Sequence, residues 1–374
     1  MTRVLLGFLI ILSLPLLAAR LIYGGGSAFP GVSAAAPVAD SATLEVVVSY
    51  SEPVGSVAVA KNGDVFFTVH PASRTQGNQL LRYRDGIAMP FPDGAAQQQL
   101  LQSASGLTID DEGRLWCVDA ADHGRGQPRV LAFDIETGEI LHQHDFAQEI
   151  APFGSYLQAV VVTPDTGTVL IADTSVLRKR PALISYRPEM RTARRLLEQH
   201  AGVQSQDYVI DNSFRRMTFF GGILSLMPGI SGLAIDDDGG WLYFAATSND
   251  GLFRRPLASL NDPTSTPNTV AGSGERCSDK PLSEGLGYAD DTVFVTDVET
   301  HAIMQVSKDR RIRTLLRDRV LRWPDGVWHG EDNSLYVADS ALPAYLLADD
   351  NAVKDNAPYR IYRLLWGAGS GTSQ

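Results

Sequence analysis

One phrase recurs along this chain of 374 residues: an apolar alternating run, a tight turn of Asp, Asn and Gly, and a second apolar run ending in small polar residues. SGLAIDDDGGWLYFAATS (231–248) is the fullest copy. Leu233 and Ile235 alternate, residues 236–240 supply turn chemistry, and residues 241–244 are rich in β-formers, which together specify a hairpin. Five further copies are GSVAVAKNGDVFFTVH (55–70), SGLTIDDEGRLWCVDA (105–120), QAVVVTPDTGTVLIADTS (158–175), EGLGYADDTVFVTDVE (284–299) and DGVWHGEDNSLYVADS (325–340). With the second residue of each copy as anchor, the spacings are 50, 53, 73, 53 and 41 residues. Two strands repeated at a period near fifty specify a β-propeller, here an all-β fold of six blades.

The intervening sequence supplies the outer strands. Residues 79–92, 130–146, 182–200 and 302–318 each read as a second hairpin. After the last copy only PYRIYRLLW (358–366) follows, one strand short of a four-stranded blade. The spare strand is TLEVVVSY (43–50), and its pairing into the sixth blade closes the ring and removes an exposed edge. The propeller is therefore expected over 43–367, with a disordered tail at 368–374. The long spacing leaves 201–229, aromatic, apolar and irregular, as an insertion lying over one face, either a packed surface loop or a lid.

Residues 1–23 stand apart. Arg3 precedes an uncharged stretch from Val4 to Ala19, long for a signal-peptide core and short for a full span, so the segment reads as a signal peptide or a membrane anchor. Either reading exports the domain to the periplasm or the exterior, and the Gly/Ala/Ser/Pro-rich residues 24–42 read as a flexible tether. Contact with a membrane is expected only through the N-terminal segment. A net charge of −11 repels phosphate backbones and argues against a nucleic-acid partner. The two cysteines, Cys117 and Cys277, form no CxxC. Their separation is silent about pairing, and Cys117 lies in a strand pattern where a buried free thiol is usual.

In a propeller the start of each innermost strand and the end of its return strand share one face. The starts are Gly55, Ser105, Gln158, Ser231, Glu284 and Asp325; the ends include His70, Asp119, Asp173, Thr247, Asp297 and Asp339. Carboxylates converging on one mouth invite a cation. Gln158, Glu284 and Asp325 are the candidate ligands of Ca²⁺ or another divalent ion. Asp119, Asp173, Asp297, Asp339 and Trp323 are candidates to contact a small-molecule ligand, with backbone capping as the alternative for the aspartates. His329 sits in an inner-strand pattern, within reach of the channel or held as a structural histidine, while His142 and His144 alternate on an outer strand and are expected to face solvent. There is no phosphate loop, no GxSxG elbow and no HExxH.

LWCVDA, RGQPRVLAFDIETGE, TVLIADTS, DKPLSEGL with VFVTDVETHAI, WPDGVW with SLYVAD, and APYRIYRL follow one another in order. This series resembles the major royal jelly/Yellow protein family in its bacterial branch, across roughly residues 45–366. The resemblance implies a six-bladed propeller and a secreted or envelope location. It also implies a channel that carries small amines in some members, and a link to dopachrome isomerisation in some insect Yellow proteins. More distantly the chain is similar to the gluconolactonase/senescence-marker lactonases, which hold a divalent metal in the channel. It departs from the usual pattern at Gln158-Ala159, at Ser231 and at Glu284, while Asp325 is retained.

Three functions fit these features. The first is an exported binder holding a small molecule at the acidic mouth, with apolar walls. The second is a metal-dependent lactonase-like hydrolase, or a quinone-type isomerase, in the same channel. The third is a protein-interaction scaffold, which requires a large exposed apolar patch.

Overall fold

The computed structural model describes residues 14–32, 37, 44–262, 274–330, 333–349 and 351–366. Six four-stranded antiparallel sheets stand around an axis. Their inner strands are Val54–Val59, Ala104–Ile109, Leu157–Val162, Ile230–Ile235, Leu286–Ala289 and Pro324–His329, each one belonging to a copy of the repeated phrase. The turns form as the sequence requires. In the fourth blade Asp236 Oδ1 accepts the Trp241 N–H at 2.8 Å, and Gly239 takes φ +65°, which an L side chain resists.

The ring closes through Leu44–Tyr50, which runs antiparallel to Tyr359–Leu365 from Leu44↔Leu364 to Tyr50↔Tyr359. The last sheet therefore joins both ends of the domain. In the fourth blade the outer strands are Gly251–Pro256 and Glu275–Asp279, too far apart in sequence to read as one hairpin. The expected tail at 368–374 lies outside the described residues.

The core lies between blades rather than at one centre. Phe66, Leu80, Leu107, Leu115, Cys117, Leu131 and Phe133 fill the space between the first two, and equivalent apolar clusters separate the others. Both cysteines are buried free thiols. Near the axis the inner strands approach more closely than side chains permit. A Cβ on Gly106 would lie 1.9 Å from the Gln158 carbonyl oxygen, and one on Gly285 would lie 2.0 Å from that of Asp325. Gly106 and Gly285 are thus packing requirements of the ring, whereas the first and third copies carry Ser56 and Ala159 in the same place.

The insertion crosses one face. Asn212 donates to the carbonyls of Val298 and, at 3.0 Å, Arg322; Arg215 donates to Leu346 O at 2.9 Å. Ile210, Met217 and Phe219 join a buried cluster with Leu282, Val298, Trp323 and Tyr345. The stretch expected as a tether is ordered at its start. Ser27–Ala28 pairs in parallel with Tyr208–Val209 of the insertion, and residues 14–23 before it are helical.

Candidate functional site

All six inner-strand starts, Gly55, Ser105, Gln158, Ser231, Glu284 and Asp325, line one axial cavity of about 380 Å³. Above them its walls are apolar, from Leu107, Val160, Leu233, Leu286 and Val327. At the level of the turns come Asp111, Tyr288, Trp328 and His329. Exposure rises in the same direction: Ser105, Ser231, Glu284 and Asp325 are buried, whereas Tyr288, Trp328 and His329 are half-buried and Asp111 is exposed. The acidic end expected as a mouth is the deep end. The insertion and the loop carrying Tyr345 pack beside it, and the turn end is the more open one.

At that deep end Glu284 and Asp325 stand at the starts of the inner strands of neighbouring blades and are both buried. Gln158 donates its Nε2–H to Glu284 and accepts from the Thr174 hydroxyl at 2.9 Å. Burial pushes the Glu284 carboxyl up, against the pull of Gln158 and of the buried Lys280. Burial and then the Glu284 charge push Asp325 well above the ordinary carboxylate range. Asp325 Oδ2 makes no hydrogen bond among the described residues. His70 approaches it, Nε2 to Oδ2 3.6 Å. The Ala72 N–H donates to His70 Nδ1 at 3.2 Å, so in the neutral ring Nε2 carries the hydrogen. Burial lowers the imidazole to about 4, and His70 therefore stands near Asp325 uncharged, beyond hydrogen-bond distance.

The other aspartates lie elsewhere. Asp119 accepts the N–H groups of Gln102, Ser103 and Ala121 at 2.7–2.8 Å. Asp173 accepts from the Tyr156 N–H at 2.9 Å and pairs with Arg195 at 2.7 Å. Asp339 accepts from the Trp323 N–H at 2.6 Å and pairs with Arg322 at 2.9 Å. In these three blades the aspartate ending the second strand clamps the backbone that leads into the first. Asp297 instead accepts the N–H groups of Glu299 and Thr300 in its own turn, both at 3.0 Å. None of the four lines the cavity, and neither does Trp323, which is fully buried in the core beside the insertion. Of the eight candidate residues, the cavity brings together Gln158, Glu284 and Asp325. His142 and His144 are partly buried against Tyr186, one bonded to its hydroxyl at 2.7 Å and one stacked at 4.3 Å.

Tyr156, Tyr288 and Trp328 line the cavity without having been singled out from the sequence. Tyr288 and Trp328 stand in inner-strand patterns, which was the available signal. Tyr156 stacks on His123 at 4.9 Å from a loop that shows no pattern.

The donor set bears on metal binding. Among the described residues no group of three or more His, Cys, Asp or Glu side chains converges, and Gln158 turns an N–H toward Glu284. As placed, the site offers a cation two carboxylates.

The family model for the major royal jelly protein matches residues 102–364. Major royal jelly protein 1 of Apis mellifera is 28% identical over 185 residues, 45% of this chain and 40% of that protein. Major royal jelly protein 3 of the same organism is 25% identical over 213 residues, 54% of this chain and 36% of that protein. The chain thus spans less than half the length of these relatives. Among solved structures, a gluconolactonase of Xanthomonas campestris superposes with a TM-score of 0.54 at 12% identity, covering 90% of this chain and 98% of that one. Regucalcin of Agrobacterium tumefaciens, a calcium-binding protein, gives 0.53 at 13% identity, covering 85% and 93%. At these identities the solved structures speak for the fold alone.

Proposed function

The chain belongs to the major royal jelly protein family, and we propose that its channel binds a small organic cation. The charged end sits between Glu284 and Asp325, and an apolar or aromatic body lies along Leu107, Val160, Leu233, Leu286 and Val327. The observation that carries this reading is the buried carboxylate pair whose Asp325 Oδ2 lacks a hydrogen-bond partner, at the base of an apolar-walled cavity. Two buried carboxyls with raised affinity for protons hold a site for positive charge that a proton fills when nothing else does. An ammonium group would displace that proton, and binding would strengthen as pH rises. Trp328 and Tyr288 at the open end add aromatic faces suited to a cation or a ring. Export through residues 1–23 is part of the same proposal, the N-terminal apolar stretch being its support.

Calorimetric titration with phenethylammonium, phenylacetate and benzyl alcohol tests the reading. The ammonium compound should bind and the other two should not. Its affinity should be higher at pH 8 than at pH 5.5, and Asp325→Asn should weaken it at least about tenfold, ~1.4 kcal/mol. Equal binding of the neutral alcohol would remove the carboxylates from the account.

A second reading is a divalent-cation-dependent hydrolase in the same cavity, with Gln158, Glu284 and Asp325 holding the ion. It is favoured by the convergence of these three oxygen-bearing side chains on one cavity. Bound to them, the ion would polarise a carbonyl. A calcium-induced rise in melting temperature, lost in Glu284→Gln, would select this reading over the binder.

A further inference from the structure

We propose that the face of the propeller carrying the insertion lies against an anionic lipid bilayer, so that the deep end of the channel points toward the membrane and the turn end opens away from it. This goes beyond the N-terminal segment as a tether and stands independently of the ligand reading.

The first observation is how residues 14–23 are held. Tyr23 donates its hydroxyl to Leu177 O at 2.7 Å, and Lys179 Nζ lies 5.8 Å from the Tyr23 ring centroid. A Cβ on Gly24 would meet the carbonyl oxygens of Gly222 and Ile223 at 2.7 and 2.6 Å. Ser225 donates to Gly25 O at 2.8 Å, and Ser27–Ala28 pairs with Tyr208–Val209. The helix end is therefore fastened to the loops at 177–179 and 220–225 rather than swinging on a tether. Whatever environment takes up the helix must also meet those loops.

The second observation is what these segments expose. Leu21 is 76% exposed, Ile22 58%, Leu177 41% and Phe220 66%, on segments that these contacts bring together. Phe153, 61% exposed, continues the patch, since its neighbour Gly154 abuts Arg178. Among the described residues no helix is long and apolar enough to cross a membrane. In the sequence the uncharged run from Val4 to Ala19 precedes Leu21 and Ile22, and a bilayer is the surroundings that such a run accepts.

Charge supplies the third observation. In a chain of net charge −11, residues 14–23, 174–181 and 213–223 contain Arg20, Arg178, Lys179, Arg180, Arg215 and Arg216 and no acidic residue; Arg216 pairs with the neighbouring Asp211 at 3.8 Å, and Lys179 and Arg215 donate to the carbonyls of Met227 and Leu346. At the opposite end the turns carry Asp110, Asp111, Asp236, Asp237, Asp290 and Asp291, of which Asp110 pairs with Arg114 and Asp291 with Lys308. Apolar side chains flanked by Arg20, Arg178 and Arg180 fit anionic headgroups; the net acidic turns are repelled by them.

The test uses the full chain in vesicles of phosphatidylcholine and phosphatidylglycerol at three to one, with and without doxyl-labelled lipid. An environment-sensitive dye is attached in turn to Phe153→Cys, Phe220→Cys, Lys61→Cys and Asp237→Cys, the two native cysteines being buried. Dyes at 153 and 220 should be quenched by at least half, and those at 61 and 237, on the turn end, should not respond. Arg180→Glu with Arg216→Glu should reduce quenching at 153 at least twofold while circular dichroism stays unchanged. Absent quenching at 153 and 220, equal quenching at both ends, or a self-associated species burying the 153 and 220 dyes without lipid, would each overturn the proposal.

Discussion

Two groups of buried carboxylates stand a few residues from one another in this propeller, and they do different work. Asp119, Asp173 and Asp339 end the second strands of three blades, and each carboxylate is saturated by donors. Glu284 and Asp325 begin the inner strands of two blades, and between them they have one side-chain amide, the Ser340 hydroxyl acting on Asp325 and the Lys280 charge on Glu284, a distant neutral histidine and an oxygen without a hydrogen-bond partner among the described residues. The first arrangement satisfies the backbone groups of the loop that enters each blade, which a buried loop requires. The second leaves unbalanced charge in a cavity, which folding does not require and a ligand can exploit. Burial alone does not separate the groups, since Asp119 is also pushed up by its surroundings, against its three N–H donors. Hydrogen-bond completeness does.

Removing a clamp should produce the largest effect. Asp173→Ala and Asp339→Ala strand Arg195 and Arg322 and leave the N–H groups of Tyr156 and Trp323 without acceptors. Each should lose about 3–5 kcal/mol in urea denaturation, as when one partner of a buried pair is deleted. Losses under about 1 kcal/mol would erase the distinction between the two groups.

His70 should give an effect of intermediate size, visible only through pH. Its folded-state value near 4 lies below that of an exposed imidazole, so the unfolded chain takes up a proton first as pH falls. Its contribution is intact above about 6.5 and is lost toward 4. From pH 7.5 to pH 5 the parent should lose about 2 kcal/mol more than His70→Gln. Parallel curves for the two proteins would mean that the imidazole is charged in the folded state, and would turn its contact with Asp325 into an ion pair.

How much of this was legible in the sequence follows from the range of each interaction. The hairpins were, because alternation and an Asp/Gly turn act within a dozen residues. The closing strand was, because a blade short of a strand after Trp366 and a spare strand before Val54 leave one solution. The outer strands of the fourth blade were not, since residues 257–274 separate Pro256 from Glu275. The cavity collected Gln158, Glu284 and Asp325 as their place in the phrase specified. Asp119 and Asp339 occupy places in the phrase that look equally exposed to the channel, and only the folded loop shows which N–H groups reach them. That the acidic end is the deep end depended on contacts such as Asn212 to Arg322, 110 residues apart, which no local pattern encodes.

The smallest effect should come from the cavity pair, and its sign is opposite to that of the clamps. Asp325 holds its proton more tightly in the folded protein than in the unfolded chain, through burial and then through Glu284. The folded state therefore binds more protons as pH rises from about 4, and stability declines over that range until the folded carboxyl ionises. Asp325→Asn keeps the shape, removes the titration and removes a buried anion that has no hydrogen bond at Oδ2. It should match the parent near pH 4 and exceed it at pH 8 by about 1 kcal/mol, the order of the penalty for an uncompensated buried polar group. Calorimetric melting at the two pH values reads the difference. A gain at pH 8 that disappears on adding phenethylammonium would show that the carboxylate is a cost to the empty fold and an asset only when a cation fills it. A loss at pH 8 as large as that of Asp339→Ala would instead make Asp325 a fourth clamp, and leave Glu284 alone at the base of the channel.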